Sequence, residues 1–148
     1  MESDALAIAA GLARKFEGCY LKPYLCPAGV PTIGYGSTFY EDGVRVTLQD
    51  SAITKDRAEQ LLQWELRRCL LKVTRLCPGA DSSKRLSALV DFCFNLGAGN
   101  LKASTLRRRV NQRDWAGAVL EINKWVKGGG KVLKGLVARR KAESLLLY

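Results

Sequence analysis

Hydrophobic positions recur every three or four residues along most of the chain, a spacing typical of amphipathic helices that bury one face. The first predicted helix runs from Asp4 to Phe16, and Gly18 lies just past its end. A second begins after Thr54, a suitable N-cap, and continues to about Leu76. The remaining helical segments are predicted over residues 82–96, 103–111, 115–126 and 136–147. The pattern therefore predicts a mostly helical chain.

One segment departs from the helical period. Between residues 19 and 43, prolines and glycines separate short apolar runs such as 32–35, which is typical of short strands joined by tight turns. A second interruption, the glycine run 128–130, breaks the chain before the last helix. The length of 148 residues suits one domain with a substantial core. We therefore predict a single α+β domain over residues 1–148, mostly α, with a small N-terminal β-lobe and a helical C-terminal lobe.

The charge balance narrows the classes of partner. A net charge of +10 favours nucleic acid, acidic lipid or an anionic cell wall, and charge alone does not choose among them. No apolar run approaches the ~20 residues of a membrane-spanning helix. The apolar stretch 5–12 follows two acids and lacks the basic start of a signal peptide. We therefore expect a protein made in the cytoplasm without an export signal.

The chemistry open to the chain is limited by what it lacks. It contains no histidine, which excludes Ser-His-Asp and Cys-His nucleophile systems. Its five cysteines include no CxxC pair, so we expect no structural zinc, and an odd number leaves at least one thiol unpaired. Acid–base chemistry must therefore come mainly from carboxylates, and no metal or cofactor is expected.

Glu17 is the carboxylate that the pattern singles out. It stands where the first helix meets the predicted strands, flanked by Phe16 and Gly18. A carboxyl group at such a junction can serve as a general acid. Taken by itself, a glutamate at a helix end is usually a solvated surface charge.

The spacing around Glu17 resembles a known family signature. Eight residues separate Glu17 from Cys26, and five more separate Cys26 from Thr32. This is similar to the Glu-x8-Asp/Cys-x5-Thr signature of the phage lysozymes (glycoside hydrolase family 24, the bacteriophage endolysins). Further matching stretches are 16–18, Tyr24, 32–36, 94–100 and 104–106. Trp125 and the stretches 128–130 and 134–143 are similar to the lambdoid-type branch of the family.

The resemblance implies a lysozyme-like fold and an N-acetylmuramidase activity. Such an enzyme hydrolyses the β-1,4 bond between N-acetylmuramic acid and N-acetylglucosamine in peptidoglycan and so lyses the host cell. Glu17 would protonate the glycosidic oxygen, and Thr32 would hold the attacking water. Most relatives carry Asp where this chain has Cys26. That thiol is interpreted as nucleophile, base or electrostatic partner, with an inert buried cysteine as the alternative, so inversion or retention stays open.

The resemblance also implies substrate contacts and a setting. Thr38, Phe94 and Thr105 match the family's substrate-binding positions, although Phe94 is equally plausible as a core residue. Ser37 stands where many relatives carry histidine. The implied enzyme is a monomer that acts on glycan strands in the periplasm, after a holin has permeabilised the membrane.

Two alternatives remain at this point. Basic runs at 107–109 and 139–141 favour a helical nucleic-acid-binding domain, whose affinity would fall steeply with salt. The cysteine at position 26 leaves room for an inactive lysozyme-like wall-binding protein. The motif spacing favours the enzyme, with no nucleic-acid partner.

Overall fold

The computed structural model describes all 148 residues, in seven helices and four short strands. The elements in chain order are α1 (Glu2–Glu17), β1 (Tyr20–Leu25), β2 (Pro31–Gly34), α2 (Lys55–Leu76), α3 (Ser83–Leu96), α4 (Ala98–Ala103), α5 (Thr105–Asn111), α6 (Trp115–Ile122), β3 (Lys127–Gly128), β4 (Lys131–Val132) and α7 (Lys134–Leu147). They form two compact units: the β unit, residues 13–65, and the helical unit, residues 1–12 and 66–148. None of the helices combines the length and the apolar character needed to cross a membrane.

The β unit is built around an antiparallel hairpin. In β1 and β2, Tyr20 lies opposite Gly34 and Tyr24 lies opposite Thr32, with an irregularity in register between the two pairs. Ile33 of β2 is fully buried and joins a small hydrophobic core that also contains the buried residues Val46 and Leu61. Thr32, Ile33 and Gly34 are buried in succession, and the burial of Ile33 in this core fixes the register of the hairpin.

The Asp50 carboxylate accepts several hydrogen bonds within the loop that follows the hairpin. Asp50 accepts hydrogen bonds from the Tyr40 hydroxyl at 2.6 Å, the Thr47 hydroxyl at 2.6 Å and the Thr47 backbone N–H at 3.0 Å. These donors hold the pKa of Asp50 below its usual range. Burial and the hydrogen bond to Asp50 raise the pKa of Tyr40 to about 12.

The helical unit has an apolar core crossed by buried charges. Along α3, the side chains of Leu86, Leu89 and Phe92 are buried, and the Ser82 hydroxyl caps the helix by accepting a hydrogen bond from the Arg85 backbone N–H. This face supplies the apolar floor on which α7 packs. Fully buried charges are tolerated only when they are paired and hydrogen-bonded, and α7 brings two buried arginines into this core.

Both arginines have matched partners. Arg139 binds Asp91 through two nearly parallel hydrogen bonds of 2.9 and 2.8 Å. Arg140 donates to the Asn95 side-chain oxygen at 2.7 Å and to Glu143 at 3.0 Å. Burial, followed by the neighbouring Asp91 carboxylate, raises the pKa of Glu143 well above its ordinary value. The pairing of α3 with α7 is therefore specified by charge as well as by shape.

The predicted fold class, α+β and mostly α with a small N-terminal β-lobe, is confirmed. Thr54 does precede α2, and its hydroxyl accepts a hydrogen bond from the Arg57 backbone N–H. The segment predicted over 103–111 corresponds to α5, which begins after Ser104, whose hydroxyl caps the helix by accepting from the Arg107 backbone N–H. The short helix α4, over 98–103, was not predicted. The glycine run 128–130 is part of a second β-hairpin instead of a simple break.

Candidate active site

Glu17 is the last residue of α1, and its half-buried carboxyl group lies against the turn that follows β2. A Cβ atom placed on Gly36 would stand 2.9 Å from Glu17 Oε1 and 3.2 Å from Glu17 Cδ. Gly36 has a φ of +83°, which only glycine adopts without strain. Residue 36 therefore has to be glycine for the carboxyl group and the backbone to approach this closely.

Cys26 occupies the turn between β1 and β2. The turn is closed by backbone hydrogen bonds from Cys26 N–H to the Val30 carbonyl, 3.1 Å, and from Gly29 N–H to the Cys26 carbonyl, 2.8 Å. The Val30 N–H chiefly, and the Ala28 N–H and the Thr32 hydroxyl as well, lower the pKa of the Cys26 thiol against an opposing effect of burial. Donors that face a sulfur in this way stabilise its thiolate, the reactive form.

Thr32 is buried on β2 and takes part in the same turn. Its hydroxyl donates a hydrogen bond of 2.8 Å to the Val30 carbonyl. A hydroxyl has one proton and two lone pairs, so it can serve either that carbonyl or the Cys26 sulfur as donor and still accept from a third group. Thr32 is thus placed to relay a hydrogen bond between the turn and a molecule beside Cys26.

Tyr24 lies near both Glu17 and Cys26. Burial raises the pKa of its phenol, and the nearby Tyr20, Glu17 and Cys26 raise the pKa further through their negative charges. Its ring centroid lies 4.3 Å from that of Tyr20. The sequence interpretation used Tyr24 only as part of the family pattern. Its position opposite Thr32 in the hairpin is the signal that places it in the site.

An ion pair supports the last turn of α1. The Arg14 guanidinium forms a two-point hydrogen-bonded pair with the Glu59 carboxylate of α2. Glu59 and the bond it accepts raise the pKa of Arg14, and the same pair lowers the pKa of Glu59. Both side chains are partly exposed, so the pair contributes at most about 1 kcal/mol to stability. The pair joins the last turn of α1, which also carries Glu17, to α2.

The other predicted binding residues are distributed between the two units. Thr38 belongs to the β unit and lines a cavity of about 330 Å³ together with Val30, Pro31 and Arg45. Phe94, half-buried on α3, and Thr105, which begins α5 and accepts a hydrogen bond from Arg108, belong to the helical unit.

The three predicted catalytic residues therefore lie in one compact unit of 53 contiguous positions, residues 13–65. Sequence reasoning used Gly36 only within the matching stretch 32–36 and missed its contact with Glu17, which no local pattern reveals. Ser37, next to it, is fully buried, and its hydroxyl has no hydrogen-bond partner. Chemically, the site offers one carboxyl that can give a proton, one thiol with a stabilised thiolate and one hydroxyl that can orient a small molecule.

Comparison with known proteins gives a consistent picture. The family model described as phage lysozyme matches residues 14–143. The endolysin of Bacillus phage B103 is 36% identical over 140 residues, which cover 91% of this chain; the chain spans 50% of that relative's length. The endolysin of Acyrthosiphon pisum secondary endosymbiont phage 1 is 32% identical, with 91% of each chain covered.

Solved structures agree. The endolysin from Escherichia coli O157:H7 phage FAHEc1 superposes with a TM-score of 0.85 at 28% identity, covering 95% of this chain and 90% of the other. The muramidase domain of SpmX from Asticaccaulis excentricus superposes with a TM-score of 0.75 at 32% identity, covering 94% and 93%.

Proposed function

Since the chain belongs to the phage lysozyme family and is a peptidoglycan-degrading glycosidase of the endolysin type, we propose that it is an N-acetylmuramidase that cuts the β-1,4 bond between N-acetylmuramic acid and N-acetylglucosamine. The observation that carries this proposal is the Glu17 carboxyl group seated against Gly36, in the same compact unit as the Cys26–Thr32 turn. Glycoside hydrolysis needs a proton donor on one side of the bond and a nucleophile or its activator on the other.

Glu17 is the proton donor in this proposal. It gives its proton to the glycosidic oxygen while the bond from that oxygen to C1 of the muramic acid breaks. The sugar passes through an oxocarbenium-like transition state, and assistance by a general acid is worth about 10²–10⁴ in rate. The fixed seat of the carboxyl group against Gly36 supports this role, because a pre-positioned donor needs no rearrangement.

Cys26 and Thr32 then act on the water. The Thr32 hydroxyl orients a water molecule beside the Cys26 sulfur, the water oxygen attacks C1, and the thiolate takes the proton that the water loses. What supports this assignment is the set of donors that lowers the pKa of Cys26, with Thr32 among them. A single displacement of this kind inverts C1. Attack on C1 by the thiolate itself would instead retain its configuration, so the anomer formed first distinguishes the two routes.

The setting is a further part of the proposal and rests on family resemblance alone. We propose that the protein acts as a monomer on glycan strands in the periplasm, after a holin has opened the membrane, and that Thr38, Phe94 and Thr105 contact the glycan. Sedimentation of the purified protein tests the monomer, and expression with and without a holin tests the route to the wall.

The decisive experiment is digestion of purified peptidoglycan by the wild type and by Glu17→Gln. We expect clearance by the wild type with new reducing ends on muramic acid, and a loss of at least about 10²-fold in Glu17→Gln. Glu2→Gln is the matched control, because Glu2 is an exposed acid at the other end of the same helix. Equal clearance by wild type and Glu17→Gln, or new reducing ends on glucosamine only, contradicts the proposal.

A further inference from the structure

The second hairpin and the start of α7 form an exposed surface that combines cations with aliphatic side chains. Val132 is 60% exposed and Val137 is 43% exposed. The lysines around them are exposed as well. We call this the hairpin surface, and its members are Lys127, Lys131, Val132, Leu133, Lys134 and Val137.

The hairpin surface is held in a defined shape. Gly129 and Gly130 both have positive φ, +58° and +79°, and form the tight two-residue turn between β3 and β4. Lys127 lies directly opposite Val132 across the hairpin. A Cβ on Gly128 would stand 2.6 Å from Leu133 Cδ1, so Leu133 closes over the hairpin backbone. A binding partner would therefore meet a surface that is already organised.

The charge of this surface is not balanced within the protein. The chain carries no acidic residue between Glu121 and Glu143, and Lys127, Lys131 and Lys134 form no ion pair. The helix α7 begins beside these lysines with no acidic residue in its first turn and no side-chain cap. A helix start is itself positive, so it adds to the charge of the lysines instead of offsetting it. An external anion would compensate both.

We propose that the hairpin surface docks onto an anionic phospholipid bilayer. The lysine ammonium groups would lie at the phosphates, while Val132 and Val137 would enter the boundary between headgroups and acyl chains. A purely polar polyanion would use the lysines and leave the aliphatic side chains in water. The presence of both kinds of side chain on the hairpin surface thus favours lipid. The surface belongs to the helical unit, and the inference does not depend on the proposed glycosidase activity.

Cosedimentation with vesicles tests the proposal. The probes are phosphatidylglycerol mixed into phosphatidylcholine, and phosphatidylcholine alone; we expect binding to the first only. Because each lysine near an anionic surface contributes about fivefold to binding, Lys127→Gln/Lys131→Gln should weaken it about 25-fold at low salt. Val132→Ser/Val137→Ser should weaken it about tenfold, and this loss should persist at high salt, where screening removes the charge effect.

Matched controls make the outcome specific. Lys102→Gln/Arg108→Gln removes two exposed cations from α4 and α5, and Leu71→Ser/Leu145→Ser removes two exposed aliphatic side chains from other helices. We expect both to bind vesicles like the wild type, with all variants checked for folding by thermal melting.

Three results would overturn the proposal. Equal losses in the charge control would mean that net charge alone drives binding. Unchanged binding by Val132→Ser/Val137→Ser would point to a polyanion that the lysines recognise without insertion. Equal binding to phosphatidylcholine alone would remove the role of the anionic lipid.

Discussion

Replacing Gly36 by alanine tests whether the position of the Glu17 carboxyl group sets the activity, independently of the stability of the fold. The new Cβ would stand 2.9 Å from Glu17 Oε1, so either the carboxyl group or the turn has to move. A displacement of about 0.5 Å relieves such an overlap. Since a misplacement of about 1 Å at a reacting group costs about 10²-fold in rate, we expect Gly36→Ala to lose about tenfold in kcat.

The same substitution also strains the backbone. A side chain at φ +83° costs about 1–2 kcal/mol, which lowers Tm by about 3–6 °C in a domain of this size. Gly43→Ala is a close control, because Gly43 has a φ of +84° and nothing within 4 Å of an added Cβ. Both variants should melt earlier by similar amounts.

The assay is clearance of purified peptidoglycan at a temperature well below either melting transition. Gly36→Ala should be slow there, and Gly43→Ala should match the wild type. If the two variants clear the substrate at the same rate, the contact between Gly36 and Glu17 does not set the activity, and the reasoning is refuted.

The remaining predictions concern protons and charges. Alkylation of Cys26, followed by mass spectrometry, should reach its half-maximal rate at a lower pH than alkylation of an ordinary cysteine. Thr32→Val should raise this midpoint pH, and an unchanged midpoint would mean that the Thr32 hydroxyl does not stabilise the thiolate. Cys26→Ser should lose most activity and Cys26→Asp should keep much of it, while a fully active Cys26→Ser would make the thiol structural. Tyr40→Phe should lower the free energy of unfolding by about 1–2 kcal/mol. Because the pKa of Tyr40 is raised to about 12, that contribution is complete below the ordinary pKa of about 10 and is lost as the pH rises to about 12. A pH-independent difference in denaturant titrations would argue against it. Asp91→Ala should cost about 3–5 kcal/mol, since it removes the carboxylate that binds the buried Arg139 through two hydrogen bonds. An Asp91→Asn variant as stable as the wild type would show that the charge of this carboxylate is not needed.

The sequence predicts most of the fold because most elements carry a periodic signal. The 22-residue helix α2 shows its apolar face and its N-cap Thr54 directly. The strands β3 and β4 have two residues each, too few for any period, so the glycine run between them was interpreted only as a break. A Gly-Gly pair between residues that pair across a turn is itself a hairpin signal, and it could have been used.

Some features of the candidate site can likewise be predicted from the sequence, and others depend on packing. Cys26 and Thr32 face one turn because they flank it in sequence, so local spacing predicts their neighbourhood. The approach of Gly36 to Glu17 depends on where the end of α1 packs, which no local pattern states. The pairing of Asp91 with Arg139, 48 positions apart, is likewise a property of packing, and composition gives no hint of it.

The turn between β1 and β2 explains why the number of residues between Cys26 and Thr32 matters. The burial of Ile33 fixes the face on which Thr32 lies, so one residue inserted in the turn between Cys26 and Thr32 would lengthen the turn and carry the sulfur away from the hydroxyl. The five positions between the two residues thus act as a ruler, and chain length alone, with every functional group retained, would be enough to switch the site off.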